Sequence, residues 1–358
     1  MFLFSDKSKR NNLGIDVGTK SVRVVELSGK KGKPVLENYG ELNLDIAASQ
    51  SFRNFDKSTL NPSVETISRA LKAILDETGI KAKRAVFSLP DFSTFFVSFE
   101  LPPMSKKDLD NAIGFEARKH IPLPLSEIDL DWQCMSKDPT RERNKIVLMA
   151  IPRSLINQYK TVAESVGLQL IALEAEALSS KRVLFEENFP TTCIVEIGYQ
   201  STAVSIVDNN FIKTSFSFDI AGKDLTLSLA ETLNIDIAEA EQIKRENGLL
   251  SDEREDVPQI LVPIISLIVD KIKKVIIDFQ EKERAKVKKV FLAGGTAQMF
   301  GLLEYFKSVF DEDDFSEIEI EMAKSFSKVS YPPILEGKIK ELNPTFAIAL
   351  GEALKNFK

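Results

Sequence analysis

Cysteine and histidine are almost missing. In 358 residues there are two cysteines, Cys134 and Cys193, and one histidine, His120. Two distant cysteines cannot build a disulfide framework or a Cys-rich metal centre, and their scarcity fits a reducing cytoplasm. A single histidine argues against a His/Cys zinc site and against a histidine-based triad. His120 closes an expected helix, where a cation suits the dipole, so its expected role is structural. A basic excess is missing too: 47 Lys and Arg against 53 Asp and Glu leave a net charge of −6. No nucleic-acid partner is expected, because neutralising phosphates needs a basic surface. No uncharged run is long enough to span a membrane. The most apolar stretch, QILVPIISLIVDKIKKVIIDF (259–279), contains Pro263, Asp270, Lys271, Lys273 and Lys274. Its apolar residues recur at three and four, which predicts a long core-facing helix. The start, MFLFSDKSKRNN, has too short an apolar run for a signal peptide and reads as a flexible tail over 1–12. The phosphate-binding patterns G-x-x-x-x-G-K-[ST] and G-x-G-x-x-G are both absent.

What is present is a folded chain of more than one lobe, 43% hydrophobic and 28% charged. LGIDVGTKSVRVVEL (13–27) reads as strand, turn, strand, with Asp16 just before Gly18-Thr19-Lys20-Ser21. A third strand (35–44), a polar loop (45–62), an amphipathic helix stopped by Gly79 and a buried strand (83–90) follow. TTCIVEIGYQSTAVSIVDNNFIKTSFSF (191–218) repeats that opening, and helices at 222–233 and 236–247 come next. The acid-x-Gly-x-x-Ser spacing recurs as Asp16/Gly18/Ser21 and Glu196/Gly198/Ser201, which points to an internal duplication. A third glycine turn lies in VKKVFLAGGTAQMFGLLEYF (287–306), where a strand runs into Gly294-Gly295-Thr296 and a helix is expected beyond it. Residues 90–167 interrupt the repeat. They hold a helix begun by a Ser105/Asp108 capping pair, two strands and a second helix, and read as an inserted α+β unit with Phe115 and Trp132 in its core.

The turns suggest a chemistry. A carboxylate cannot hold a phosphate, but it can hold the phosphate's magnesium through water. Glycine turns offer N–H donors and Ser or Thr adds hydroxyls. Two acid-Gly-Ser hairpins would grip phosphates from two sides, and the third turn would suit a nucleoside. The plainer alternatives are a self-capping turn at Asp16, a salt-bridged surface acid at Glu196 and tight strand–helix packing at Gly294 and Gly295.

These three loops resemble the phosphate 1, phosphate 2 and adenosine motifs of the actin, hexokinase and Hsp70 ATPase superfamily. FDIAGKDLT (218–226), with Gly222, resembles actin's segment after its second phosphate loop. AEAEQIKRENG (238–248) resembles the helix in which Glu241 and Lys244 lie near adenosine. With LPPMS and IGFEARKHIPLP inside 101–124, and NPTFAIALGEALKNF (343–357) at the end, the sequence is identified as a member of the PilM family of type IV pilus assembly proteins.

The resemblance implies an α/β, actin-like (ribonuclease H-like) two-lobed ATPase fold. Lobe 1 would take 13–89, 168–189 and 343–358. Residues 90–167 would form the 1C subdomain shared with FtsA, and lobe 2 would take 190–342. It implies ATP and Mg²⁺ as ligands. Asp16 (to the metal, through water), Gly18, Thr19, Lys20 and Ser21 would meet the phosphates. Glu196, Gly198 and Ser201 would form the second loop, and Gly222, Glu241, Lys244, Gly294, Gly295 and Thr296 would line the nucleoside. It implies binding of the short cytoplasmic N-terminus of a PilN-like inner-membrane protein, in a groove of lobe 1 and 1C, which would hold the chain at the membrane. Contact with assembly ATPases is a further implication, and self-association is left open.

The family's second loop usually has Asp where Glu196 stands, and often Gly where Ala221 stands. Catalysis is sensitive to shifts of about 1 Å, so the expectation is ATP binding with slow or absent hydrolysis. Glu174 and Glu176 are the candidates to orient a water. Two other readings belong to the same superfamily. A sugar kinase would need a larger sugar-binding lobe with a catalytic aspartate. An FtsA-like filament protein would carry an amphipathic tail beyond the last helix.

Overall fold

The structure, a computed structural model, describes residues 2–3, 12–30, 32–44, 51–56, 59–134, 144–250, 254–312 and 315–357. In the first half the strands are β1 (Phe2–Leu3), β2 (Asn12–Val17), β3 (Ser21–Lys30), β4 (Lys33–Asn43), β5 (Arg53–Asp56) and β6 (Thr59–Pro62), followed by helix α1 (Val64–Thr78) and β7 (Arg84–Leu89). Then come β8 (Phe95–Leu101), α2 (Lys106–His120), β9 (Ile128–Cys134), β10 (Asn144–Pro152), α3 (Arg153–Ser165), β11 (Gln169–Ala175) and α4 (Glu176–Leu184). The second half has β12 (Thr192–Ile197), β13 (Thr202–Asp208), β14 (Phe211–Phe218), α5 (Gly222–Leu233), α6 (Ile237–Asn247) and α7 (Asp256–Glu283). It ends with β15 (Lys289–Ala293), α8 (Leu302–Phe310), β16 (Glu319–Met322), α9 (Glu336–Leu342) and α10 (Ala347–Ala353).

The duplication is visible in the sheets. The first runs β4-β3-β2-β7-β11 with β1 on its edge, and the second runs β14-β13-β12-β15-β16. Both are antiparallel through the opening meander and parallel across the next two pairings. The two central strands, β2 and β12, are almost wholly buried, as strands covered on both faces must be. The fold is actin-like.

Three cores hold the lobes. In the first, β2, β3 and β7 pack on α1 and α3 through Ile15, Ile67, Leu71, Phe87 and Tyr159. In the second, β12, β13 and β15 pack on α5, α7 and α8. The expected long helix is α7, and its buried Leu261, Ile265, Ile268, Ile272 and Ile276 follow the spacing of one helix face. The third core lies between the sheets. There α4 and α10 pack against Val25 and Leu27 from one side and Ile194, Phe291 and Ala293 from the other.

Several expectations change. Helix α3, expected in the insert, instead buries Leu155, Ile156, Tyr159, Val162 and Ala163 in the core of lobe 1. The packing therefore ends the insert at β10 and not at residue 167. The insert itself is the sheet β8-β10-β9 covered by α2. Its helix does begin with Ser105 accepting from the Asp108 N–H. Phe115 is not in its core. Leu109, Ile113 and Ala117 form the buried stripe at i, i+4 and i+8, and Phe115 lies off that stripe, 63% exposed. Trp132 is half-buried, with its indole N–H on Asp110. The loop expected over 45–62 contains the β5–β6 hairpin, and residues 45–50 of it lie outside those described. Of the expected tail, Phe2–Leu3 pairs antiparallel with β11, and residues 4–11 lie outside those described. Among the described residues no helix is long and apolar enough to cross a membrane.

The middle core permits no side chain at two glycines. A Cβ on Gly14 of β2 would overlap the backbone of Ala349 and Ala353 in α10, and one on Gly351 of α10 would overlap the backbone of Ser179 in α4. Ala normally favours a helix over Gly by about 1 kcal/mol. At Gly351 that sign reverses, because overpacking costs about 1–3 kcal/mol and the obstacle is backbone. Gly351→Ala is expected to lower the urea midpoint of unfolding, whereas Gly337→Ala, with open space around it, leaves it unchanged or raises it.

Candidate functional site

The two hairpin turns are built alike. Asp16 is opposite Arg23 across β2 and β3, and Glu196 is opposite Ala203 across β12 and β13. Each turn closes through one bond, from Gly18 N–H to Ser21 O at 2.8 Å and from Gly198 N–H to Ser201 O at 3.0 Å. A Cβ on either glycine would stand 3.0 Å from that serine carbonyl. The repeated Gly-x-x-Ser spacing is therefore a repeated turn, one per lobe.

Both turns open into one cleft of about 480 Å³, a size usual for small-molecule sites. Asp16, Gly18, Thr19, Lys20, Ser21, Glu196, Gly198, Ser201, Glu241, Lys244, Gly294, Gly295 and Thr296 all line it. Gly222 does not. It stands behind the wall, where its N–H bonds Gly198 O and a Cβ would overlap the Thr296 hydroxyl. Thr296 Oγ1 also donates to Gly198 O at 2.7 Å, so the second and third glycine turns are laced together. Gly294 has φ +91, and a Cβ there would overlap the backbone of Ile197. The helix expected beyond Gly294-Gly295-Thr296 is α8, which begins after Gly301, at φ +79, with a single 3-10 turn (Thr296–Gln298) between.

The wall from lobe 2 carries a closed polar knot. Lys244 Nζ donates to Glu241 Oε2 at 2.6 Å, to Thr226 Oγ1 at 2.8 Å and to Gly222 O at 3.1 Å. Thr226 Oγ1 donates to Glu241 as well, and Arg245 bonds its other oxygen. Burial raises the Glu241 pKa, but these partners outweigh it and hold the carboxyl below its usual range. Burial holds Lys244 below the usual lysine range against the pull of Glu241.

The floor is acidic. Asp16 is buried, accepts from Ser88 Oγ at 3.0 Å and lies 3.5 Å from Arg23. Burial pushes Glu176 up to about 7, against the pull of Arg53. Burial pushes Glu196 up to about 8, with the Ser180 hydroxyl opposing at 2.7 Å and the charges of Glu176 and Asp16 adding to the rise. Of the two water-orienting candidates, Glu176 lines the cleft and Glu174 does not. Glu174 is the next-to-last residue of β11, bound to Arg182 at 2.6 Å and Lys355 at 3.0 Å. Sequence reasoning missed Arg23, Arg53 and Tyr199. Arg23 was readable, since a four-residue turn sets it opposite Asp16. Tyr199 was visible in the second turn, and its ring lies 5.9 Å from Lys20 Nζ across the cleft. Nothing in the sequence announced Arg53, which comes from the hairpin read as a loop.

The raised acid has a measurable sign. Glu196 has a folded pKa of about 8 against an ordinary 4.5. Its contribution to stability is complete below the unfolded value and is lost as pH rises towards 8, with a slope of up to about 1.4 kcal/mol per pH unit. Glu196→Gln keeps an acceptor for Ser180 and does not titrate. Urea unfolding between pH 6 and 8 is expected to show a shallower loss of stability for Glu196→Gln than for wild type. An unchanged slope would mean that Glu196 is ionised in the fold.

Comparison with known proteins places this geometry. The family described as "Type IV pilus assembly protein PilM" matches residues 14–357. The cell division protein FtsA of Enterococcus faecalis is 22% identical over 345 residues, covering 84% of this chain and 76% of FtsA. Among solved structures, the PilM-PilN type IV pilus biogenesis complex gives a TM-score of 0.82 at 19% identity, over 98% of this chain and 100% of that one. MreB 5 of Spiroplasma citri bound to AMPPNP gives 0.52 at 14% identity, over 94% of this chain and 98% of that one. With a family match over nearly its whole length, and the paired glycine turns of an actin-like fold, the chain belongs to the PilM family of type IV pilus assembly proteins.

Proposed function

We propose that this protein is a nucleotide-gated scaffold of the inner-membrane platform that assembles a type IV pilus or a related machine. ATP binds in the cleft, the lobes close on it, and closure changes how the partner is held. The observation that carries the reading is the pair of matched turns, one from each lobe, facing one cleft with Asp16 and Glu196 at corresponding positions. An MreB relative solved with AMPPNP supports the nucleotide.

The residues fit the ligand. Thr19, Ser21 and Ser201 bring hydroxyls, the turns bring backbone N–H groups, and Lys20, Arg23 and Arg53 bring positive charge. Glu241, Lys244, Gly294, Gly295 and Thr296 line the side assigned to the nucleoside, with Gly222 supporting them from behind. Among the described residues no group of three or more His, Cys, Asp or Glu is placed to hold a metal ion. Asp16 would hold the Mg²⁺ of a bound nucleotide through coordinated water, and the metal would supply charge neutralisation to the phosphates beside the acidic floor.

The partner is the N-terminal cytoplasmic peptide of a PilN-like inner-membrane protein, seated between lobe 1 and the insert. It would hold the chain at the cytoplasmic face of the membrane. The reading draws on family membership and on the relative solved as a PilM-PilN complex. Contacts with assembly ATPases and with further copies of the chain belong to the same platform. A second reading, a slow ATPase, is favoured by Glu176, whose pKa of about 7 suits a general base.

Calorimetry with ATP and Mg²⁺, on wild type and on Asp16→Ala, tests both, with phosphate release followed in the same samples. The expected result is binding that falls about tenfold or more in Asp16→Ala, with no sustained release. Sustained release would install the ATPase reading. No binding to wild type would reduce the protein to a peptide-holding scaffold with inherited turns.

A further inference from the structure

The cleft is lined by six cationic side chains: Lys20, Arg23, Arg53, Lys244, Arg245 and Lys338. Lys244 spends its three donors on Glu241, Thr226 and Gly222. Arg245 reaches Glu241 from an exposed position. Lys338 is half exposed and pairs with Glu341. Arg23 bonds Glu41 at 2.8 Å and lies beside Asp16. Arg53 is different. It is the guanidinium buried among the floor acids, with Nη1 on Glu176 Oε1 at 2.9 Å and the charges of Asp16 and Asp91 close by.

The backbone brings Arg53 to the first turn. Phe52 N–H bonds Thr19 O at 3.0 Å, and Leu44 N–H bonds Lys20 O at 2.8 Å. The chain leaves from the turn at 44, returns to it at 52, and delivers the next side chain into the cleft. A buried Arg–Glu pair is a poor stability device, since desolvation offsets most of its attraction. Placed in the wall of a ligand cleft, the pair has another use. A guanidinium fork matches two phosphate oxygens, and a phosphate offers it more charge than a carboxylate does.

We propose that Arg53 is a ligand for the phosphate chain of the nucleotide, and that Glu176 is the internal anion it exchanges for a phosphate oxygen on binding. The proposal rests on the nucleotide reading above and adds to it a specific phosphate contact and its competitor. The exchange leaves Glu176 without its guanidinium. Freed of the guanidinium that held its pKa down, it takes up a proton from solvent. The change is a rearrangement of hydrogen bonds and one proton, with no bond broken in the ligand. Glu176 thereby sets the affinity: it positions Arg53 and weakens phosphate binding by the cost of letting it go.

The test is calorimetric titration of the full chain with ATP, ADP and adenosine, each with Mg²⁺. It is run on wild type, Arg53→Gln, Glu176→Gln and the double variant, with thermal melts to confirm folding. Arg53→Gln is expected to weaken ATP and ADP by about ten- to a hundredfold and to leave adenosine unchanged. Glu176→Gln is expected to tighten ATP and ADP several-fold and to leave adenosine unchanged. The double variant is expected to bind like Arg53→Gln. A merely structural Arg53 would move adenosine and ATP together, which overturns the proposal. So does a folded Arg53→Gln with wild-type ATP affinity, or a Glu176→Gln that weakens ATP. Should Arg53→Gln fail to fold, Glu176→Gln decides alone: tighter binding supports the exchange, and equal or weaker binding overturns it. Wild type that binds none of the three ligands sinks the nucleotide reading and this proposal with it. Wild type that binds ATP indifferently to Arg53 sinks only the proposal.

Discussion

The geometry of the cleft depends on the burial of one nine-residue helix, α4, between the two sheets. Its backbone touches α10 so closely that Gly351 can carry no side chain. Its side chains then bond outward to every neighbouring part. Glu176 takes Arg53 of lobe 1, Ser179 donates to Glu352 of α10, and Ser180 donates to Glu196 of lobe 2. Lys181 donates to Asn210 O in the β13–β14 turn, and Arg182 holds both Gly351 O and Glu174. Buried polar groups are costly unless bonded, so the helix can sit only where all these partners meet. That requirement sets the spacing of the two glycine turns.

The same helix explains why the floor is acidic without falling apart. Asp16, Glu176 and Glu196 come from lobe 1, the joining helix and lobe 2, and the charge of Asp16 raises both glutamates while that of Glu176 raises Glu196. Burial, with the nearby carboxylate charges adding to it, pushes Glu176 and Glu196 up towards neutrality, so the floor holds protons that a solvent-exposed cluster would lose. Behind it, Glu174 stays charged because Arg182 and Lys355 outweigh its burial. Two neighbouring glutamates, two residues apart, therefore take different states. The strand end faces a cationic knot, and the helix start faces the cleft.

Much of this was legible in the sequence, for a physical reason. Hairpins with a Gly-x-x-Ser turn are local objects, written in consecutive residues, and they recur in the same register in both lobes. The sheet order follows from repeating one unit. Harder to read was whatever depends on tertiary partners. Helix α3 has the pattern of any amphipathic helix, and only packing reveals that its apolar face meets α1 and β11 as well as the end of β10. Phe115 looks like core by residue type, yet the stripe of Leu109, Ile113 and Ala117 turns it outward. The helix expected beyond Gly294-Gly295-Thr296 is there as α8, but its start after the left-handed Gly301 cannot be placed without φ. Arg53 lay in a stretch with no periodicity at all.

One residue joins the insert to this arrangement. Asp91 stands at the insert's root, directly after β7 and Pro90. Its carboxyl accepts from Ala177 N–H in the first turn of α4 at 3.1 Å and from the Ser215 hydroxyl of β14 at 2.9 Å. Burial pushes it up to about 6, against those two bonds and the charge of Arg53. It therefore belongs to the same electrostatic group as the cleft floor, while its covalent chain leads away into the insert. A shift of lobe 2 against lobe 1 must either break the Ser215 bond or carry Asp91 along. The width of the cleft and the footing of the insert are thus one constraint, because a single carboxylate is shared by the joining helix, the second lobe and the base of the inserted sheet.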